Sequence, residues 1–258
     1  GPSGSGTTEL LKRLHADLAS TLRTPVYLLT DLASVGNKRS CVATISNVWQ
    51  DIRALIASTK SAKLHRIPAS NFSFNRRGGR CEECVGLGSI SQNMPPLPPV
   101  EVICPECKGK RFNDSTLQAT YRDQNISEIL SLSIDECCKL FEHQPNLART
   151  FQALQLVGLG YLELGQTSPT LSGGEQRRIQ IAKILAPCLK KEHNRENVVL
   201  LLDDPTAALH SSDALLIQRT LINLRSANTT VIVTSNNPQI SVLADFQYQM
   251  EELSSLLS

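Results

Sequence analysis

Four cysteines constrain this chain more than any other feature: Cys81-x2-Cys84, then nineteen residues, then Cys104-x2-Cys107. A C-x-x-C pair turns two thiolates toward one point. A ribbon that folds back on itself brings the second pair opposite the first. Four thiolates around one ion match tetrahedral all-cysteine coordination of Zn2+, with no position left for water, so the spacing predicts a structural zinc. Gly86, Gly88 and Gly109 follow the pairs, where knuckle turns are needed. A disulfide framework would suit a short secreted domain. This chain has 258 residues and shows no signal peptide, so metal in a reducing cytoplasm is expected. Cys41, Cys137, Cys138 and Cys188 lack partner spacing and are expected as small core residues.

Hydrophobic residues make up 41% of the chain, enough for a buried core, and charged residues 19%, which argues against disorder. No apolar run reaches membrane-spanning length. The first residue is Gly1 rather than Met, which reads as a piece of a longer chain or a tag remnant.

The apolar periodicity predicts a helix over Thr7–Ser20, a short strand over Thr24–Asp31 and a helix over Ser46–Ser58. The proline-rich stretch Met94-Pro95-Pro96-Leu97-Pro98-Pro99 argues against a long helix between the cysteine pairs. Ser133-x-x-Glu136 is a capping box for a helix reaching about Phe141. Asn146–Val157 is a further helix, stopped by Gly158. Beyond it come a helical Gly173–Leu189, a buried strand Val198–Asp203, an amphipathic helix Ser212–Ser226 and a strand Thr229–Ser235. Strand–helix–strand order implies an α/β fold with a parallel sheet.

Leu171-Ser172-Gly173-Gly174-Glu175-Gln176-Arg177-Arg178 matches the signature of ATP-binding cassette (ABC) domains. Its glycines permit close backbone approach, and the free N–H groups of a helix start, helped by Ser172, suit a γ-phosphate. Val198-Val199-Leu200-Leu201-Leu202-Asp203-Asp204-Pro205-Thr206 reads as Walker B, a buried strand that delivers Asp203 to a Mg2+ shell. Asp204 stands where a glutamate would polarise the attacking water. One methylene less withdraws the carboxylate by about 1.5 Å, and misplacement on that scale costs about 100-fold in rate. Gly1-Pro2-Ser3-Gly4-Ser5-Gly6-Thr7-Thr8 has the P-loop frame G-x-x-x-x-G-K-[ST]. Gly1, Gly4 and Gly6 would cradle phosphate and Thr8 would reach Mg2+, while Thr7 takes the place of the lysine. The plainer alternative is a Gly-Ser linker remnant.

The resulting reading is an ABC-type P-loop nucleotide-binding domain with an inserted four-cysteine zinc module. Residues 1–58 form the N-terminal part of the ATPase core, 59–115 the basic, zinc-binding insertion, and 116–258 the signature region and the rest of the core. Between Ile52 and Arg80 lie seven Lys or Arg and no acid: Arg53, Lys60, Lys63, Arg66, Arg76, Arg77 and Arg80. Lys108, Lys110 and Arg111 follow the second cysteine pair. Zinc would draw the clusters together, and Arg76, Arg77, Arg80, Lys108, Lys110 and Arg111 are the candidate contacts to a DNA backbone. A solvated basic surface is the alternative. Phe72 and Phe74 are expected in the core rather than stacked on bases.

Together these residues resemble the second half of the UvrA family, the damage-sensing subunit of bacterial nucleotide-excision repair. Phe72-Ser73-Phe74-Asn75 with Gly78-Gly79-Arg80-Cys81, and Cys107-Lys108-Gly109-Lys110-Arg111-Phe112-Asn113, look like that family's zinc module. Val157-Gly158-Leu159-Gly160-Tyr161 with Leu164-Gly165-Gln166, and Asp204-Pro205-Thr206 with Leu209-His210, are equally characteristic. The resemblance implies binding of double-stranded DNA, of ATP with Mg2+, of a second ABC half, of a second UvrA-like protomer and of a UvrB-like helicase subunit, with no membrane. The sequence departs from the family at four positions. Thr7 replaces the P-loop lysine, Leu32 falls near the Q-loop glutamine, Asp204 replaces the Walker B glutamate, and Asn236 replaces the switch histidine. Sites in this family are composite, so the Walker face here is expected to hydrolyse ATP poorly while the signature face, Leu171 to Glu175, completes a partner's site. The competing readings are a non-catalytic scaffold half and a soluble UvrA-like ATPase of drug resistance or export.

Overall fold

The computed structural model describes residues 6–30, 39–189, 197–207, 209–225 and 229–249. In chain order, helix α1 spans Thr7–Thr21, entered through Gly6 in the left-handed region, and strand β1 spans Val26–Leu29. Helix α2 (Val42–Ile45) precedes α3 (Trp49–Ser58) and α4 (Lys60–Leu64). The helix expected from Ser46 starts at Trp49, because Asn47 takes φ 65° and breaks the run from α2. A side-chain amide tolerates that conformation better than most. Trp49, Ile52 and Ile56 are the buried residues of α3.

Between the cysteine pairs, strands β2 (Ser89–Met94) and β3 (Leu97–Ile103) form an antiparallel hairpin whose register shifts between Gln92 and Met94. Helix α5 (Asp114–Leu117) follows, then a minimal hairpin of β4 (Thr120–Tyr121) and β5 (Gln124–Asn125). Arg122 and Asp123 join the two with φ 47° and 63°, the paired positive values of a tight hairpin turn. Helices α6 (Ile126–Ser131) and α7 (Ile134–Leu140) each carry a capping box, Asn125 with Glu128 and Ser133 with Glu136. Helix α8 (Pro145–Leu156) ends as expected near Gly158, whose φ is 73°. Helix α9 spans Gly173–Leu185; the expected continuation to Leu189 is a 3-10 turn over Ala186–Cys188, with Pro187 in its first turn. Then come β6 (Val198–Asp203), α10 (Ser211–Arg225), β7 (Thr229–Thr234) and the short α11 (Pro238–Ser241).

Two compact units emerge. The first draws on Gly1–Val35, Arg149–Leu159 and Ser172–Ser258. It holds the parallel sheet in the order β1-β6-β7. Val199 and Leu201 of β6 pack with Leu11, Leu14 and Leu18 of α1. Leu200 and Leu202 alternate to the opposite face and are fully buried. A strand covered on both faces needs a continuous apolar run, which is why Val198–Leu202 carries one. Arg178 is buried in this unit: it pairs with Asp213 at 3.3 Å and donates to the carbonyls of Val157 and Gly158, tying α9 and α10 to the turn after α8.

The second unit draws on Gly36–Ala148 and Gly160–Leu171. Its core includes Phe74 stacked on Trp49, 5.1 Å between ring centroids, with Phe112 at 6.5 Å and Tyr121 stacked on Phe141. Cys41 and Cys137 are buried there, and Cys138 is half-buried, in keeping with a packing role. Burial pushes the Cys138 thiol up to about 11, an inert state near neutral pH.

Candidate functional site

The four cysteines of the spaced pairs converge in the second unit. Their Sγ atoms all lie within 4.8 Å of one another, and all four side chains are buried. Cys81 and Cys104 are 3.9 Å apart at sulfur, Cys84 and Cys107 3.6 Å. These separations are far beyond a disulfide bond of about 2 Å. They are close to the about 3.8 Å edge of a tetrahedron of thiolates at a Zn–S distance of about 2.3 Å. The donor set and its geometry therefore fit zinc.

The two pairs are built alike. Gly86 N–H donates to the Cys81 carbonyl and Lys108 N–H to that of Cys104, at 3.0 and 2.8 Å. The residue after each pair and its glycine take positive φ: Val85 51° and Gly86 79°, Lys108 51° and Gly109 83°. Gly88 N–H points at the Cys84 sulfur, 3.2 Å away, the kind of outer hydrogen bond that steadies a ligand. Ile90 packs against the thiols from β2. Burial pushes the Cys107 thiol up to about 12 and raises Cys81, whereas Cys104 is lowered, its burial outweighed by hydrogen bonds from the Cys107 and Glu106 backbone and from thiols; a bound cation would favour all four as thiolates.

Backbone rungs close the module at its base. Cys81 N–H donates to the Arg111 carbonyl, Asn113 N–H to that of Gly79, and Arg80 bridges Phe112. The two basic clusters named from the sequence are thus carried to one end of the module, but their members differ. Arg76, Arg77, Lys108 and Lys110 are exposed. Arg80 is paired with Glu82 and donates to the Asn75 carbonyl. Arg111 donates to the Gly165 carbonyl and lies 5.7 Å over the Phe74 ring. Burial, and then the charge of Arg76, pull Arg53 below its ordinary value. Phe72 and Phe74 are core residues, as expected.

In the first unit, the sequence-named residues gather around Asp203 at the end of β6. Its carboxylate accepts from the hydroxyls of Thr8 and Thr234, each at 2.5 Å. Asp203 and Thr8 are the two side chains that the Walker B and P-loop readings assign to Mg2+, brought together from 195 residues apart. Thr234 was not named from the sequence; its place at the end of the neighbouring strand was the available signal. Asp204 has φ 38°, takes a backbone hydrogen bond to the Thr234 carbonyl, and faces the Ser235 hydroxyl at 3.4 Å. Asn236 is exposed. Thr7 opens α1 behind Gly6; Gly1, Gly4 and Leu32 lie outside the described residues. The signature residues lie at the start of α9. Ser172 caps α9 in a capping box with Glu175, and Gly173 and Gly174 are the first two helical residues, following Leu171.

No helix among the described residues is long and apolar enough to cross a membrane. No family model matches the chain. Over 208 residues, 81% of the chain, it is 44% identical to UvrABC system protein A of Aquifex aeolicus (strain VF5), 22% of whose length is covered. It is 37% identical, over 95% of the chain, to UvrABC system protein A of Thermus thermophilus, covering 27% of that protein. The crystal structure of UvrA2 from Deinococcus radiodurans superposes with a TM-score of 0.73 at 35% identity, over 94% of this chain and 31% of that one. The chain spans about a quarter of the length of these curated relatives. An α/β ABC-type domain carrying a signature turn, a Walker B strand and an inserted four-cysteine cluster, with these likenesses, places the chain in the UvrA family.

Proposed function

We propose that this chain is the DNA-binding, zinc-stabilised ABC portion of a UvrA-type protein acting in damage recognition for nucleotide excision repair. Cys81, Cys84, Cys104 and Cys107 hold a structural zinc within the 59–115 insertion, and the metal fixes the base of the module. Arg76, Arg77, Lys108 and Lys110 then track the phosphates of double-stranded DNA, with Arg80 and Arg111 serving chiefly to shape that surface. Thr8 and Asp203 hold Mg2+ with ATP in this half's own Walker site. With Thr7, Asp204 and Asn236 in place of lysine, glutamate and histidine, that site binds nucleotide weakly and turns it over slowly. The signature turn from Leu171 to Glu175 serves the site of a second ABC half. A second UvrA-like protomer and a UvrB-like helicase subunit are the further partners, in a cytoplasmic setting.

The observation that carries the reading is the buried thiol cluster with exposed cations flanking its base rungs. The test is duplex binding at graded salt. Each phosphate contact contributes a log–log slope of about −0.9, so Lys108→Ala with Lys110→Ala should flatten the dependence by about 1.8. An unchanged slope would remove these residues from the interface. Equal affinity for damaged and intact duplex would favour a UvrA-like ATPase outside repair.

A further inference from the structure

The signature helix and the end of the Walker B strand are joined by a side chain that neither motif explains. Arg177 lies one turn beyond Gly173 in α9, about 6 Å along the axis at about 1.5 Å per residue. Its Nη2 donates to the carbonyl oxygen of Asp203 at 3.1 Å and to that of Asp204. Among the described residues, the Nε of the same guanidinium is buried without a hydrogen-bond partner. Leaving such a donor unpaired is costly, so the group is kept where it is by its hold on the Walker B turn. Burial lowers its pKa, and the charges of Asp204 and Asp203 act in the opposite direction. The neighbouring Arg178 points elsewhere, to Val157, Gly158 and Asp213.

A continuous route of direct bonds results. Thr8 at the start of α1 and Thr234 at the end of β7 bind the Asp203 carboxylate. The carbonyl of that same residue binds Arg177, and Arg177 belongs to the helix whose first N–H groups are those of Gly173 and Gly174. A cation bound at Asp203 would compete with both hydroxyls for the carboxylate, and a shift of the Asp203–Asp204 peptide would be felt by the guanidinium that grips it and so by α9.

We propose that Arg177 is a positioning residue that makes the signature turn respond to the metal–nucleotide state of this domain's own Asp203 site. This rests on the reading above that Thr8 and Asp203 take Mg2+ with nucleotide while the signature serves another half. The own site, slow in turnover, then acts as a sensor whose occupancy tunes the signature presented to the partner. One guanidinium nitrogen, held in the plane of the group and shared between two successive carbonyls, transmits such a shift, which a lysine point charge or a glutamine amide reproduces incompletely.

The test is amide hydrogen exchange on the 258-residue chain, with and without Mg–AMP-PNP. In the wild type, nucleotide should slow exchange across Gly173–Arg178 by about fivefold or more, the lower range for coupled sites. Arg177→Gln should bind the nucleotide within about twofold of wild type yet lose the slowing, since a coupling residue alters transmission rather than affinity. Arg177→Lys, which keeps the charge without the planar guanidinium, should retain part of it and carries the comparison if the glutamine variant unfolds. Undiminished slowing in both variants, or nucleotide binding without slowing in the wild type, overturns the role of Arg177 and leaves the site reading standing. Failure of the wild type to bind the nucleotide overturns the site reading and the proposal with it.

Discussion

Gly86 and Gly109 occupy equivalent places in the two cysteine knuckles, with φ of 79° and 83°. Alanine at either must adopt a left-handed backbone at a cost of about 1–2 kcal/mol. The surroundings differ. A Cβ at Gly109 would find nothing nearer than Ile103 Cγ2 at 3.8 Å, an ordinary contact. A Cβ at Gly86 would lie 2.1 Å from the Phe74 carbonyl oxygen and 2.9 Å from its carbon. The obstacle is backbone, and Phe74 is 2% exposed and stacked on Trp49, so it has nowhere to retreat. Overpacking of this kind adds about 1–3 kcal/mol. Gly86→Ala should therefore destabilise by about 2–5 kcal/mol and Gly109→Ala by about 1–2. In melting temperature, at about 2–4 °C per kcal/mol, the first falls by roughly 4–20 °C. The assay is denaturant unfolding at saturating zinc, with zinc retention against a chelator measured alongside, since the strained knuckle also holds Cys81 and Cys84. Equal losses for the two variants, or a larger one for Gly109→Ala, would refute the argument that the Phe74 backbone sets the difference.

Asp203→Asn removes the charge that the Thr8 and Thr234 hydroxyls stabilise, so Mg2+ should cease to strengthen nucleotide binding. The expected loss is about ten- to hundredfold, from the strength of a hydrogen bond to a charged group, and calorimetric titration with ATP, with and without Mg2+, reads it; equal enhancement in both proteins contradicts the assignment. Glu136 is held below its usual 4.5, first by the Ser133 hydroxyl and then by the Ser133 N–H. A carboxylate depressed on folding stabilises above its unfolded pKa and loses that contribution as pH falls through the folded value. Glu136→Gln should lower stability at neutral pH and flatten the acid limb below about pH 4.5, and an identical acid limb in urea unfolding would count against the capping box.

Local rules located most of the helices because their causes are local. The box at Ser133 needs only Glu136, three residues on, and the stop at Gly158 needs only a residue free to turn left-handed. The break at Asn47 escaped periodicity because Val48, Ile52 and Ile56 fit one helical stripe whether or not the chain turns just before them. The proline-rich segment excluded a helix correctly, yet its hairpin stayed hidden: Pro98 and Pro99 read as strand breakers, but β3 pairs on one edge only and tolerates them there. Charge counting marked the basic clusters without showing which cations the fold consumes. Arg80 is engaged by Glu82 and the Asn75 carbonyl, and Arg111 by the Gly165 carbonyl, partners that a count of charges does not reveal. The union of Thr8 with Asp203 followed from the motifs; the grip of Arg177 did not, because a backbone carbonyl leaves no trace in sequence.

The rungs between Gly79–Cys81 and Arg111–Asn113 mean that the inserted ribbon leaves and re-enters its host side by side. Everything beyond the rungs is a loop whose closure is settled at its neck, by the rungs and by the thiols just above them. Lengthening such a loop costs only about 0.6 kcal/mol per doubling. The hairpin tip is thus a graft site: it can be extended, trimmed or exchanged for another hairpin while the neck, and the aromatic stack beneath it, keep their places.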